Sequence, residues 1–431
     1  MRAHLDTNVS HRTAIALACI PPVDCVVNQL ANGFQLHVGS VSVLQAFRAA
    51  LLLCFTVAVF TKVYREPGCI RRIPFAAIGA LLLILMLLSK EWFVAESVAT
   101  ETFIAYGQMA YWVVLWILAS ITCTAASQAM LLLYGLACGA ILTALSVFLG
   151  LALGSTNYYE EDFVLASSGW FNTAKMITGM LVCGIAVILY LGCGRHRPWI
   201  HGLLAALCLA GAFVTYARAG TVAFVLVVLW FLLWTAHARG FVQWRALQWF
   251  LGAFFVLTLA TPLLFSSQAL FSRWSDLAEG DRAGSGRAAI WSIAAEGFGR
   301  APLSAQLLGS GYDSMSDFLY REYGDDVKHT HNDALDMLMV GGVVGLVWLV
   351  GFIWAWCAQI VSFSPWSLEG AAAVAVFVDY LCHAQLTGQL WGTDVMTYYA
   401  LAMTAFTVIG RSHRSSIQVR RVVPITSPMA A

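Results

Sequence analysis

The pentapeptide His329-Thr330-His331-Asn332-Asp333 runs directly into ALDMLMVGGVVGLVWLVGFIWAWCA, residues 334–358. This stretch is longer than the roughly 20 apolar residues that cross a bilayer. A polar segment followed at once by such a run predicts a helix that begins at a water boundary and enters lipid. Asn332 and Asp333 both suit the cap position, where a short side-chain oxygen accepts from the first free backbone N–H groups. His331 is thus expected at the membrane surface, at the helix start.

Working outward, further apolar segments lie at about 13–31, 41–61, 73–89, 103–124, 129–153, 173–192, 199–217, 219–237, 246–265, 369–388 and 393–410. The first is weak, being broken by Pro21, Pro22 and Asp24, and it does not read as a cleavable signal. The sequence therefore predicts an all-α, polytopic bundle of about twelve spanning helices, with ten as a lower bound. Composition agrees: 60% of the 431 residues are hydrophobic and 11% charged, against about 25% charged in a soluble protein. The mean hydropathy is +0.76. No extended basic patch supports nucleic-acid binding. The eleven cysteines fall mostly in apolar segments and form no Cys-x-x-Cys pair, so neither a disulfide framework nor a zinc site is read.

Basic residues set the expected orientation. Lys62, Arg65, Arg71 and Arg72 form one group, Arg195 and Arg197 a second, Arg239 and Arg245 a third, and Arg411, Arg414, Arg420 and Arg421 the tail. Counting helices puts all four, and both termini, on the cytoplasmic side. The opposite side receives Glu91, Glu96, Glu101, Glu160, Glu161 and Asp162, then a large loop at 266–331 with net charge −3 from six basic and nine acidic side chains. Three regions are expected: transmembrane helices in 1–265, a catalytic loop on the outer face in 266–333, and transmembrane helices with a basic tail in 334–431. Within the loop, Ile290, Ile293, Ala294 and Phe298 recur at helical spacing from Arg287 onward. Pro302, Gly309 and Gly311 break that helix, and a second short one is expected over Asp313–Tyr323.

Charge inside a membrane costs at least a few kcal/mol and marks a site or a buried pair. Arg48, Lys175, Arg218, Asp379 and His383 are such residues. In the expected topology Arg48, Lys175, Arg218, His383, Gln385 and Gln389 converge on the outer face. Each could simply snorkel to the interface; convergence of several argues for a site. Arg218, in Tyr216-Ala217-Arg218-Ala219-Gly220, sits at a tight turn where positive charge opposes the usual orientation rule. Arg287, just after Gly286, opens a helix, where a cation opposes the dipole unless both face an anion; a solvated surface arginine is the alternative. Arg282 is a weaker candidate of the same kind. Histidine suits general-base work near neutral pH. His329 and His331 could also be interfacial polar residues, and His-x-His without a clear third ligand is weak support for a metal.

Together these elements resemble the O-antigen ligase and O-antigen polymerase superfamily. They are Tyr216-Ala217-Arg218-Ala219-Gly220, Gly286-Arg287-Ala288-Ala289-Ile290-Trp291, Gly309-Ser310-Gly311, His331-Asn332-Asp333-Ala334-Leu335-Asp336 and the glycine-rich Gly341-Gly342-Val343-Val344-Gly345. The resemblance covers about 199–358. It implies a membrane glycosyltransferase of the C-type architecture in the bacterial inner membrane, active on the periplasmic face. The donor would be a glycan on undecaprenyl pyrophosphate and the acceptor a glycan or lipid A-core hydroxyl. The reaction would invert the anomeric centre with neither metal nor cofactor. It implies His331 as the base and Arg218 and Arg287 as pyrophosphate ligands, with Arg282, His329, Asn332, Lys175 and Arg48 as further substrate contacts. Ligase and polymerase share the pattern, as do protein O-oligosaccharyltransferases, which tend to be longer. A transporter is the rival from another class. It would show inverted repeats and mid-membrane charges; no repeat is visible, and Asp379 is the clear mid-helix acid of the second half.

Overall fold

The computed structural model describes residues 2–33, 36–38, 41–95, 100–153, 157–159, 164–166, 174–193, 197–215, 217–238, 248–253, 286–324, 327 and 329–422. The described chain is almost wholly helical. Helices α1 (Arg2–Gly33), α2 (Val43–Arg65), α3 (Phe75–Ala95), α4 (Thr100–Thr122), α5 (Ala126–Ala152), α6 (Ala174–Gly192), α7 (Pro198–Val214) and α8 (Arg218–Ala238) come first. Three shorter helices follow: α9 (Arg287–Arg300), α10 (Leu303–Leu308) and α11 (Tyr312–Tyr323). Then come α12 (Asp333–Phe363), α13 (Leu368–Leu386) and α14 (Thr393–Val422). A 3₁₀ turn, Pro67–Arg72, links α2 to α3. The only sheets among the described residues are two antiparallel hairpins, His37–Val38 with Val41–Ser42 and Asn157–Tyr159 with Val164–Ala166.

Five described helical stretches are long and apolar enough to cross a membrane: Ser10–Ala31, Val43–Arg65, Thr102–Thr122, Ala126–Gly150 and Asp333–Phe363. Ile177–Gly192, Pro198–Val214 and Ala219–Thr235 are shorter apolar helices. Only 6% of the apolar window of α2 is buried within the chain, and Leu53, Val57 and Phe60 point outward. Water would not tolerate such a face; hydrocarbon does. The chain is a multi-helix membrane protein. The expected segment at 246–265 and the loop up to 285 lie largely outside the described residues.

The centre of the bundle is α14, whose residues 393–407 are all buried. It packs on α4, α5, α6, α12 and α13. The first apolar segment is not broken, although it carries Pro21 and Pro22 and was expected to be weak: α1 runs through both. It lies close against α5, where Gly135 and Gly139 leave room. A Cβ on Gly135 would come within 2.0 Å of the Ala18 carbonyl oxygen, and one on Gly139 within 2.8 Å of Pro21 Cβ. Small residues at a helix crossing allow this approach in lipid, and packing there offsets the backbone bonds that proline removes.

The expected amphipathic helix after Gly286 is α9, with Ile290 and Ala294 buried. The second short helix is α11, with Leu319 buried. Between them, Gly309-Ser310-Gly311 forms an extended strap against α12. That helix is interrupted at Gly342, where φ is 63° and ψ −156°. The carbonyls of Met339 and Val340, released by the interruption, accept from the Ser310 and Gly311 N–H groups at 2.8 and 3.1 Å. A broken helix within a membrane protein needs such substitutes. The approach demands glycine on both sides: a Cβ on Gly309, whose φ is 78°, would stand 1.9 Å from the Val340 oxygen.

Candidate functional site

The site is built on the N-terminus of α12. Asn332 caps it, its Oδ1 accepting from Ala334 N at 2.9 Å and Leu335 N at 3.2 Å. The same side chain donates through Nδ2 to the Gln385 side-chain oxygen at 3.1 Å and to its carbonyl at 3.3 Å. The first helical turn carries two buried acids. Asp333 Oδ1 accepts from the backbone N–H of Gln389 (2.6 Å) and Leu390 (3.1 Å), in the turn after α13. Asp336 Oδ1 accepts from Thr330 N and Thr330 Oγ1, both at 2.7 Å, and its Oδ2 accepts from Trp391 Nε1 at 3.3 Å. Two carboxylates saturated by neutral donors thus fix the segment 329–333 from below.

The two histidines differ in what holds them. His329 Nδ1 accepts from the His331 backbone N–H at 3.2 Å. That bond uses the Nδ1 lone pair and leaves the proton of a neutral ring on Nε2. Nδ1 also lies 3.7 Å from Asp336 Oδ2. The rings meet edge to face, with centroids 4.2 Å apart. His331 has φ of 60°, in the left-handed region that a side chain rarely occupies, and such outliers concentrate at functional sites. Gly388 makes room for this turn: a Cβ there would lie 3.4 Å from His331 Cα and 3.3 Å from His329 Nδ1. His331 is half-buried, with its Nδ1 enclosed.

Arg287 opens α9. Gly286 before it is left-handed, with φ of 72°, and a Cβ there would strike the Tyr323 hydroxyl at 2.2 Å. One turn further, Trp291 Nε1 donates to the Thr330 carbonyl at 2.9 Å. Residues four apart share a helix face, so the half-buried Arg287 lies on the face that docks against the histidine segment. Arg218 is the first residue of α8. Gly220, two residues on, packs against Thr178, whose hydroxyl is 3.2 Å from His383 Nε2. His383 Nδ1 is 2.9 Å from Asp379 Oδ1, and Gln385 follows on the same helix. A chain of contacts therefore joins the start of α8 to Asn332. The side chains of Arg218 and Lys175, and the whole of Arg282, lie outside what is described.

Arg48 occupies a different environment. Its guanidinium makes a two-pronged pair with Asp24 (3.0 and 2.8 Å) and also pairs with Asp394, whose other oxygen accepts from Asn28 Nδ2 at 3.2 Å. Expected as a substrate contact, it instead ties α1 and α2 to the start of α14.

Beside the strap, Glu91 Oε1 accepts from the Tyr106 hydroxyl and the Tyr312 N–H, both at 2.7 Å. Glu91 follows the apolar stretch 73–89, and burial pushes its carboxyl above the ordinary range. Lys90 donates to the Gly309 carbonyl. Thr330, Asp336, Trp291 and Trp391 were not singled out from the sequence. Asp336 carried a usable signal, an acid inside an apolar run. Among the described residues, no group of three or more His, Cys, Asp or Glu side chains is arranged to hold a metal ion.

The described helices and the polar segment at the start of α12 define a multi-helix membrane protein with a histidine-bearing candidate site. Residues 203–350 match the family described as O-antigen ligase, a stretch that contains Arg218, α9, the glycine strap and the histidine segment. That stretch is about a third of the chain, and over it the chain is similar to the O-antigen ligase family. No curated protein matches the chain. The family carries glycosyltransferase-type function in polysaccharide biosynthesis, with a lipid-linked glycan and an acceptor as substrates in general terms.

Proposed function

We propose that the chain transfers a glycan from undecaprenyl pyrophosphate to an acceptor hydroxyl at the outer membrane surface. The observation that carries this reading is the docking of α9 on the histidine segment through Trp291 and Thr330. On this reading Arg287, one turn before Trp291 on the same helix, serves as the always-charged anion ligand and the half-buried His331, next to Thr330, as the base. The acceptor oxygen attacks the anomeric carbon as its proton passes to the His331 imidazole. The bond from that carbon to the phosphate oxygen breaks, and the electron pair leaves with the lipid pyrophosphate. Arg287 and Arg218 stabilise the charge that develops there; the planar guanidinium fork suits phosphate oxygens. The step inverts the anomeric centre and uses no metal. It is the same whether the hydroxyl belongs to lipid A-core or to a growing glycan. Arg282, Lys175 and Asn332 would line the substrate path, and His329 holds the His331 backbone.

The test uses purified protein, lipid-linked donor and acceptor, and follows release of lipid pyrophosphate. Arg287→Ala should lose about 10²–10³ in turnover, the usual scale for a charge-stabilising donor. Arg287→Lys should rescue poorly, because a point charge lacks the fork. Full turnover in Arg287→Ala or in Arg218→Ala would remove that residue from the mechanism. Loss of activity with a chelator would favour a metal instead.

A further inference from the structure

A second cluster of cations lies at the other end of the bundle. There a cavity of about 560 Å³ is lined by Arg71, Arg72 and Arg411, with hydroxyls from Ser120, Thr124, Thr404 and Thr407 and the amide of Gln359. Among the described residues, no Asp or Glu lines it. Arg411 stands 18 residues along α14 from Thr393, or about 27 Å at 1.5 Å per residue, close to the ~30 Å hydrocarbon thickness. Helices α3, α4 and α12 make the same passage, from Glu91, Tyr106 and Asp336 at the first site to Pro74, Ser120 and Gln359 at the second.

Arg71 and Arg411 are brought together although 340 positions separate them, and among the described residues neither has an ion-pair partner. Arg72 has a distant one, Glu66 at 3.6 Å, and reaches the Ile121 carbonyl at 3.5 Å. Three gathered guanidiniums repel one another unless an anion enters, and a phosphate is the oxyanion their forks match. The rim identifies the bearer. The segment that supplies Arg71 and Arg72 also presents Ile70 and Phe75 outward, 48% and 87% exposed. The wall of the cavity is largely polar, with Ile73, Trp116 and Val408 among its apolar members, and the adjoining Ile70 and Phe75 are apolar and exposed, which fits an amphiphile with its headgroup inside and its chains alongside.

We propose that this cavity binds the phosphate headgroup of an anionic membrane lipid, on the side of the bilayer opposite the histidine segment. The proposal is independent of the transfer chemistry, and its readout is binding alone. The full chain is placed in phosphatidylcholine nanodiscs containing a small fraction of phosphatidic acid, and retained lipid is measured by native mass spectrometry. Soluble glycerol 3-phosphate, the same headgroup without chains, is titrated in parallel. Arg71→Gln and Arg411→Gln alter exposed side chains and should each weaken phosphatidic acid retention about tenfold or more, the scale of a charge-assisted hydrogen bond. Arg65→Gln removes a neighbouring exposed cation that does not line the cavity and should change nothing. Equal retention in wild type and the Arg71 and Arg411 variants would overturn the site. Equal loss in Arg65→Gln would reduce it to general surface charge and overturn it too. Glycerol 3-phosphate competing as well as phosphatidic acid would overturn the lipid as the bearer.

Discussion

Two buried polar clusters lie close together along the chain's fold and are built on opposite logic. At Arg48, one cation is saturated by two carboxylates, Asp24 and Asp394. At the start of α12, two carboxylates are saturated by backbone N–H groups, a hydroxyl and an indole, with no cation needed. The first arrangement closes on itself and leaves no positive charge for an anionic ligand. The second spends its acids on holding a loop, and that loop carries two imidazoles to the surface. Charge neutralised by charge is a fastening; charge neutralised by neutral donors is a scaffold for something else.

The contrast is sharpest at His331. His331→Ala should lower turnover by about 10²–10⁴, the range for loss of a general base, while thermal unfolding stays near wild type. His329→Ala should lose less, since its ring acts on the His331 backbone. A reversed ranking of the two in a single-turnover assay would exchange their roles. Arg48→Met should show the complementary pattern. Removing one partner of a buried ion pair costs about 3–5 kcal/mol, read as a lower unfolding midpoint, with turnover per folded molecule retained. If Arg48→Met were stable but inactive, the fastening reading of that cluster would be wrong.

Between these lies the glycine strap. Gly309→Ala should cost about 1–3 kcal/mol from backbone strain alone, and more from the contact with Val340, which cannot move aside. The smallest effect is expected at Glu91. Burial raises its pKa, so its contribution to stability is full below the ordinary carboxylate range and fades as pH rises through the raised value. Glu91→Gln keeps the acceptor for Tyr106 and Tyr312 without the charge. It should therefore flatten the alkaline side of the stability profile, and an unchanged profile would show that Glu91 is not the group responsible.

Local features of this chain were open to reading and distant ones were not. The cap at Asn332 and the helix from Arg287 follow from spacing over a few residues. So does Asp313–Tyr323, which the structure extends by one residue at its start. The partners of Arg48 stand 24 and 346 positions away, and nothing in the spacing of a lone arginine distinguishes a buried pair from a ligand contact. The passage of α1 through Pro21 and Pro22 depends on Gly135 and Gly139 of another helix. Gly341 and Gly342 read as a glycine-rich stretch within a helix; that one of them interrupts it depends on the strap that receives the freed carbonyls. The acids at 333 and 336 were visible, but their donors come from the turn after α13 and from Thr330.

The space shared by the strap and the interrupted helix limits how this protein can diverge. A Cβ on Gly342 would meet Gly309 N at 2.4 Å, and one on Gly309 would meet Val340 at 1.9 Å. Neither stretch can be exchanged for a relative's version unless the other arrives in matching register. Recombination between two such genes should therefore yield working hybrids when both crossover points fall outside codons 309–342, and misfolded ones when a single crossover falls between them.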